Sequence, residues 1–299
     1  MPRSHAQQTG HRRRRHADAE ARTTIPDDSR NEDPPLPRST HETPTMRYPQ
    51  PLIEGTWLGR RKRFLLDVRL EQTGETVVAH CPNTGSMLGI NRPGSRCLLL
   101  PVDNPKRKLG YTLEAVRVGR IWVGAHPIRA NAVGREAIEA GLVEGVSDIT
   151  SVRAEVLYGA SSRADLLLQA RQGPSWHVEI KSASMAEGGV SLFPDAVTER
   201  GRKHLDELAN VVKDGGRSLM LFVATRDDVT LFRAASSIDP AYAKRLREVA
   251  NEGVVVRAIT SRVTCCRMVA RCPIPVDVGS WDEPNASQPT MSWRSGLAT

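Results

Sequence analysis

The sequence has no long hydrophobic segment and few aromatic residues. Among its 299 residues there is no run of about 18 apolar residues, so we expect neither a membrane-spanning helix nor a membrane partner. The N-terminus is charged and lacks the apolar core of a secretory signal. Aromatic residues make up 4% of the chain, which argues against a sugar-binding cleft. These absences favour a cytoplasmic protein.

The cysteines lack the pattern of a disulfide framework. There are five, an odd number, and no CxxC pair occurs among them. We therefore expect reduced thiols, which also fits the cytoplasm. Cys265, Cys266 and Cys272 lie close together in sequence, but no histidine follows His204. The sequence therefore does not favour a zinc site.

Positive charge is concentrated in one part of the chain. The net charge is +8, and residues 51–130 alone carry 13 Lys and Arg against 6 Asp and Glu. A local excess of this size attracts polyanions and releases counterions when it neutralises phosphates. The alternative is an ordinary solvated face. We favour a nucleic acid as the partner.

Four regions follow from composition and periodicity. Residues 1–50 lack periodicity and predict a disordered basic extension. Residues 51–128 contain five short apolar runs between Phe64 and Gly124, separated by turn signals, which predict a five-stranded OB-like β-barrel whose first strand begins at Phe64. Residues 129–262 predict helices and strands in the order αβββαβαβ, a mixed α/β domain. The helical spacing of Leu205 and Leu208 predicts a helix over Ala196–Lys213, and Asp239 followed by Pro240 marks the start of another over Pro240–Asn251. Residues 263–299 are rich in Pro and Ser and predict a flexible tail.

The second domain has acidic and basic residues where strands should be apolar. Glu179 and Lys181 flank Ile180 and share one face of a strand, since side chains alternate with period two. Asp165 lies on the preceding predicted strand, and Glu155 on the strand before that or at the end of a helix. Close carboxylates repel unless a cation separates them, and Mg²⁺ prefers oxygen ligands.

This D…ExK arrangement is the pattern of PD-(D/E)xK nucleases. It predicts Asp165 and Glu179 as metal ligands, Lys181 and Glu155 as catalytic residues, and Mg²⁺ or alternatively Mn²⁺ as the cofactor. The alternative is a half-exposed strand that carries an ordinary Glu–Lys salt bridge.

Three basic clusters predict phosphate contacts. The first two lie in the predicted barrel and the third at the start of a helix, where free N–H groups also attract anions. The alternative for the third cluster is surface pairing with neighbouring acids, and Phe64, Tyr111 and Trp122 are either base platforms or core residues. The predicted nucleic-acid contacts are Arg60, Arg61, Lys62, Arg63, Lys106, Arg107, Lys108, Arg200, Arg202, Lys203 and His204.

Several linear motifs resemble those of the sugar fermentation stimulation protein A family, across residues 51–260. They are HCPNTGSM (His80–Met87), DNPKRK (Asp103–Lys108), Arg163–Asp165, EIKS (Glu179–Ser182) and FPDAVTERGRKHL (Phe193–Leu205). The resemblance implies a bacterial protein with an OB-like barrel and a restriction-endonuclease-like αβββαβ domain. It also implies DNA binding with little sequence preference and a role in regulating maltose and other sugar genes.

The resemblance assigns Asp165 and Glu179 to the metal-binding acids, Lys181 to the superfamily lysine and Glu155 to the acid of the first strand or helix. Arg202 departs from the family, in which Gln is common. We therefore expect a DNA-binding regulator that carries a nuclease-like metal site. The alternatives are a Mg²⁺-dependent deoxyribonuclease and an RNA-binding protein, and a homodimer is compatible with each.

Overall fold

The computed structural model describes residues 45–158 and 162–279. The predicted extension up to residue 44, and the predicted tail from residue 280, lie outside the described residues. Residues 45–50 belong to the fold, because Met46 and Tyr48 are buried and the Tyr48 N–H donates to the carbonyl of Cys266 at 3.0 Å. The predicted boundary at residue 50 is therefore too late.

The N-terminal region forms a closed barrel, which confirms the predicted OB-like fold. Its sheet order is β3-β2-β1-β4-β5-β6, and β3 also meets β5 at His80 and Thr112. Trp57, Leu66 and Leu99 fill the interior. The strands are β1 (Ile53–Arg61), β2 (Leu65–Leu70), β3 (Thr76–His80), β4 (Arg96–Pro101), β5 (Tyr111–Val118) and β6 (Ile121–Gly124).

Strand β1 was not predicted from the sequence, because its alternation of buried and exposed side chains is interrupted. The pairing of β1 with β2 shifts register between Trp57 and Gly59, and Leu58 is left exposed at that point. A bulge of this kind breaks the period of two on which strand prediction depends.

The second domain is mixed α/β, as predicted. Its large sheet has the order β15-β14-β12-β9-β8-β7, in which β12 runs parallel to β9 and β14. The chain continues through α1 (Arg129–Glu139), β7 (Ile149–Tyr158), β8 (Ser162–Ala170), β9 (Trp176–Ala183), β10 (Met185–Glu187), β11 (Val190–Phe193), α2 (Glu199–Lys213), β12 (Arg217–Ala224), β13 (Leu231–Ala234), α3 (Pro240–Asn251), β14 (Val255–Val263), β15 (Met268–Ile274) and β16 (Val276–Asp277).

Helices cover both faces of this sheet. On one face α1 approaches so closely that a Cβ at Gly134 would lie 2.7 Å from Cδ1 of Ile180. On the other face α2 and α3 pack on Phe222 of β12, with Tyr242 fully buried between them and the sheet. Because β12 is covered on both faces, its sequence is a continuous apolar run.

Residues 263–279 are not a flexible tail. Strand β15 pairs antiparallel with β14, and Met268 and Ala270 point into the core. Strand β16 joins a small second sheet with the order β10-β11-β13-β16, which the sequence did not reveal. Three prolines in 273–284 concealed these strands, because proline normally marks a strand edge or a loop.

The barrel and the α/β domain share part of one hydrophobic core. Leu98, Leu100 and Ala115 of the barrel pack in the same cluster as Val133 and Ile180. Two hydrogen bonds join Gly124 and Thr225, at 2.8 and 2.9 Å. The barrel is therefore fixed against the sheet, close to β9. No helix in 45–158 or 162–279 has the length and hydrophobicity to cross a membrane.

Candidate metal centre and nucleic-acid interface

Asp165 lies on β8 beside the start of α1. Its Oδ2 accepts from the backbone N–H of Ile180 at 2.8 Å, and its Oδ1 accepts from Nδ2 of Asn131 at 3.0 Å. The pairing of Leu166 with Val178 places Asp165 next to Glu179 across the two strands. Burial and the charge of Glu179 raise the pKa of Asp165. The two carboxylates therefore repel each other, as the sequence predicted.

Glu179 is a buried carboxylate held by two basic groups. Its Oε1 accepts from Nζ of Lys181 at 2.6 Å and is also hydrogen-bonded to Nδ1 of His204. Burial alone would raise the pKa of Glu179, but the His204 hydrogen bond and the Lys181 charge outweigh it and keep that pKa below its ordinary value. Of the two carboxyl groups, Asp165 is therefore the one that takes up a proton more readily.

The contacts of His204 indicate its tautomer. Nε of Arg200 donates to Nε2 of His204 at 3.3 Å, so Nε2 is an acceptor. Nδ1 then carries the proton that it donates to Glu179. Nζ of Lys181 lies 3.2 Å from this same Nδ1, and both side chains are hydrogen-bonded to Oε1 of Glu179. The structure places His204 at the acidic pair, and its predicted contact with a phosphate stays a prediction.

Glu155 is not brought to this group. It lies on β7 between two residues that pair with Leu166 and Ala164, yet its backbone φ of +52° breaks the alternation of side chains. Its side chain is 77% exposed, and its carboxylate lies 3.8 Å from the guanidinium of Arg163. The predicted place of Glu155 among the catalytic residues is therefore wrong. Asn131 of α1 contacts Asp165 from the adjacent helix.

A cleft of about 380 Å³ opens above the acidic pair. Residues from both domains line it: Asn83 comes from the barrel, Ile128 and Asn131 from the start of α1, and Arg200 from α2. A larger depression of about 860 Å³ lies at the other end of α1 and contains none of the predicted site residues. The chemistry is therefore concentrated in the smaller cleft.

The loop His80–Met87 fastens the barrel to the rim of this cleft. Oγ of Ser86 lies 2.7 Å from the carbonyl oxygen and 2.9 Å from Oδ2 of Asp195, on the segment between β11 and α2. Arg60 holds the loop from the barrel side, since its guanidinium donates to the carbonyls of Asn83 at 2.6 Å and Gly85 at 3.1 Å. Arg60 therefore has a structural role in this loop, and its phosphate contact stays a prediction.

The other predicted basic residues divide into paired and exposed groups. Arg202 lies 3.3 Å from the buried Asp239 at the start of α3, and Arg61 pairs with Asp67 at 2.6 and 2.8 Å. Lys203 is exposed, 3.8 Å from Glu207. The remaining predicted basic residues of the barrel are exposed and lie in two loops, one with Lys62 and Arg63 and the other with Lys106, Arg107 and Lys108.

Both exposed loops adjoin the loop His80–Met87. Phe64, which follows the basic turn of 60–63, accepts from the N–H of Cys81 at 2.8 Å. Arg107 donates to Oγ1 of Thr112 at 3.1 Å, and Thr112 is the strand partner of His80. Burial and then the charge of Arg107 lower the pKa of His80. The exposed basic loops therefore lead to the loop that borders the cleft.

The described residues fit a hard divalent cation only with outside ligands. No group of three His, Cys, Asp or Glu side chains that could enclose a metal occurs in 45–158 or 162–279. Mg²⁺ is commonly held by one or two carboxylates together with waters and substrate phosphate, and two carboxylates meet here at an open cleft. The donor chemistry of Asp165 and Glu179 therefore suits such an ion.

The contributions of Asn83, Asn131 and Asp195 were not foreseen. Each is a single polar residue without a charge pattern or metal-ligand spacing. Asn131 reaches Asp165 across 34 residues, and Ser86 reaches Asp195 across 109 residues. Only the folded chain brings these residues together, because both contacts cross element boundaries.

Comparisons with known proteins agree over both domains. Residues 128–266 match the family model described as the sugar fermentation stimulation protein RE domain, and residues 58–125 match the SfsA N-terminal OB domain. The chain is 44% identical over 234 residues to a sugar fermentation stimulation protein homolog of Maricaulis maris, across 78% of this chain and 99% of that protein. It is 46% identical over 231 residues to the homolog of Geobacter sulfurreducens, across 77% of this chain and 98% of that protein.

A solved structure is also similar. It is described as Pyrococcus furiosus SfsA in complex with Ca²⁺, and it aligns with a TM-score of 0.69 and 25% sequence identity. The alignment covers 78% of this chain and 99% of that one.

Proposed function

The chain belongs to the sugar fermentation stimulation protein family, and we propose that it binds DNA with little sequence preference and holds a divalent metal ion at Asp165 and Glu179. The observation that carries this proposal is the position of the acidic pair. It lies in a cleft bordered by the barrel loop His80–Met87, beside which the exposed basic loops of the barrel are arranged. A nucleic acid strand that contacts those loops is directed toward the carboxylates.

The charge distribution supports binding without sequence preference. Lys62, Arg63, Lys106 and Lys108 are exposed side chains on loops, suited to phosphate oxygens rather than to base edges. Contacts to phosphates position the nucleic acid and carry no direct sequence information. Phe64 is 43% exposed beside the first of these loops and offers a surface on which a base can stack.

The metal part of the proposal rests on the donor set. Asp165 and Glu179 are adjacent, and the charge of Glu179 raises the pKa of Asp165. A divalent cation between them removes that repulsion. The similar Pyrococcus furiosus protein is described with bound Ca²⁺, a hard cation with the same preference for oxygen ligands as Mg²⁺. We propose Mg²⁺ as the physiological ion, with Mn²⁺ as the alternative.

Phosphodiester hydrolysis is a second candidate, favoured by the position of Lys181. Its side chain is 15% exposed in the cleft, and its ammonium group lies 2.6 Å from Glu179, where it can orient an attacking water. Arg200 lines the same cleft and can neutralise a phosphate oxygen. The bound metal would lower the pKa of water and stabilise the charge that develops on the phosphate. If the protein hydrolyses DNA, the barrel would bind the DNA strand and place it at the cleft.

The cellular part of the proposal comes from the family. We propose that the protein acts in the cytoplasm, which would keep its five free cysteines reduced. Its family name connects it with sugar fermentation, and a regulatory effect on maltose and other sugar genes would follow from DNA binding.

The test measures binding and cleavage separately on the full chain. Fluorescence anisotropy with labelled single- and double-stranded DNA measures binding, with RNA of the same sequence as competitor. Gel assays with Mg²⁺ or Mn²⁺ measure cleavage by the wild type, Asp165→Asn and Lys181→Ala, with Lys244→Ala, an exposed lysine of α3 outside the cleft, as matched control.

Cleavage that is lost in Asp165→Asn and Lys181→Ala but kept in Lys244→Ala supports hydrolysis at this cleft. Binding without cleavage in every protein keeps the DNA-binding proposal and removes hydrolysis. A wild type that binds neither form of DNA contradicts the proposal, and stronger competition by RNA reassigns the ligand.

A further inference from the structure

A pair of adjacent thiols lies at the tip of the β14–β15 hairpin, away from the acidic cleft. Cys265 and Cys266 are both exposed, and their Sγ atoms are 3.4 Å apart. The remaining cysteines of the described chain are separate from this pair: Cys272 is exposed, whereas Cys81 and Cys97 are buried. The hairpin therefore presents the sole adjacent pair of thiols in the sequence.

The backbone of this turn is held on both sides. Its two cysteine carbonyls accept from the N–H groups of Leu52, at 2.7 Å, and Tyr48, at 3.0 Å. Oγ1 of Thr264 accepts from the N–H of Cys266 at 3.3 Å. Since the carbonyls are already bonded, the turn has little freedom to rotate, and the two side chains stay directed into solvent. A ligand that bridges them finds the sulfurs already close together.

The geometry disfavours a disulfide. Adjacent Cα atoms across a trans peptide are about 3.8 Å apart. Most disulfides need about 4.4–6.8 Å between Cα atoms. The pair is therefore better suited to hold a third atom between the sulfurs than to form a direct S–S bond.

The distance between the two sulfurs also determines which kind of atom can bind between them. With bonds of about 2.3 Å, as in metal–thiolate sites, sulfurs 3.4 Å apart subtend roughly 95° at a shared centre. A linear two-coordinate ion would need the sulfurs about 4.6 Å apart. Tetrahedral zinc would need two further ligands, and the residues 45–158 and 162–279 hold no third His, Cys, Asp or Glu that completes such a group. An angle near 95° fits a pyramidal three-coordinate centre.

We propose that Cys265 and Cys266 form a chelating site for trivalent arsenic, either arsenite or an organoarsenical oxide. With an arsenical oxide, two As–S bonds form while the arsenic–oxygen bond breaks, and the oxygen leaves as water with the two thiol hydrogens. No electrons are transferred, so no oxidant or reductant is required.

The protonation of the pair agrees with this stoichiometry. The hydrogen bond between the two thiols, with slight burial, raises the pKa of Cys265. Cys265 therefore keeps its proton at neutral pH and can supply it to the departing water.

The test uses the full chain, phenylarsine oxide as the probe and intact-mass measurement as the readout. Reduced protein is treated with the probe and then with a large excess of glutathione, which displaces arsenic held by one thiol but not by two. The wild type should retain one phenylarsenic group per chain and lose it to 2,3-dimercaptopropanol.

The chain provides its own matched control. Cys265→Ser and Cys266→Ser should each weaken retention by about 100-fold or more, because the second As–S bond is then lost. Cys272→Ser removes an exposed thiol outside the pair and should behave as the wild type. The proposal fails if the wild type releases the arsenical to glutathione, if either single variant of the pair retains it, or if Cys272→Ser releases it.

Discussion

Glu179 of β9 and His204 of α2 are joined by a hydrogen bond from Nδ1 of the imidazole, although they are 25 residues apart. This bond connects the helix that carries the FPDAVTERGRKHL motif to the acidic pair. Arg200 fixes the opposite ring nitrogen, so the proton on Nδ1 is directed at the carboxylate. The helix thus orients the acid that we propose as a metal ligand.

We predict that His204→Ala weakens divalent-metal affinity by about 10-fold. Without the imidazole, burial raises the pKa of Glu179, and the carboxylate is no longer oriented. Isothermal titration with Mn²⁺ measures the change, and Lys203→Ala on the same helix is the control. Wild-type affinity in His204→Ala would show that His204 does not support the carboxylate.

We predict that Lys106→Ala with Lys108→Ala lowers the salt dependence of DNA binding. Each lost phosphate contact should reduce the slope of log K against log salt by about one unit. Anisotropy titrations at several salt concentrations measure this slope. Arg202→Ala is not a suitable control, because Arg202 stabilises α3 through Asp239. Lys244→Ala, on the exposed face of α3, should leave the slope unchanged. An unchanged slope in the double variant would place the binding surface elsewhere.

Long periodic elements were predictable from the sequence, and isolated contacts were not. The spacing of Leu205 and Leu208 identified α2, and Asp239 followed by Pro240 marked the start of α3, where Asp239 accepts from the N–H of Tyr242 at 2.9 Å. Both helices therefore appear where the sequence placed them. The strand β1 was missed because a bulge interrupts its alternation.

The two acids of the site were predictable from the sequence, but their hydrogen-bond partners Asn131 and His204 were not. Asp165, Glu179 and Lys181 meet because β8 and β9 are consecutive antiparallel strands, and this neighbour relation can be read from order alone. Residue type does not reveal whether a basic side chain is free or already bonded. Arg60 and Arg202 were therefore assigned to phosphates, although Arg60 holds a loop and Arg202 an acid of α3.

We predict that Arg129→Leu destabilises the fold by about 3–5 kcal/mol. Glu114 of β5 is fully buried and bonded to Arg129 at 2.6 and 3.0 Å, so the substitution leaves an uncompensated charge at the junction of the two domains. The double variant Glu114→Leu/Arg129→Leu should recover most of the loss, since it removes both charges. Urea unfolding measures each free energy. A double variant as unstable as Arg129→Leu would mean that the contacts of Arg129, such as its stacking on Tyr48, matter more than the charge.

The last prediction concerns acid stability and His126, which follows β6 at the same junction. Burial, and then the charges of Arg129 and His80, lower the pKa of His126 from 6.5 to about 4. In the unfolded chain His126 binds a proton near pH 6.5, whereas in the folded chain it binds one only near pH 4. The free energy of unfolding therefore falls as the pH drops through this window. The loss from this residue is at most about 3 kcal/mol, and less to the extent that water reaches the ring.

Replacement of the imidazole isolates this contribution. His126→Gln cannot take up the proton, so its free energy of unfolding should decrease less than that of the wild type between pH 7 and pH 4.5. Urea titrations at the two pH values give the difference, and His5→Gln, which lies outside the described residues, serves as a matched histidine control. Equal decreases in His126→Gln and the wild type would mean that His126 is protonated in the folded state near its ordinary pKa, and the acid sensitivity would then belong to other groups.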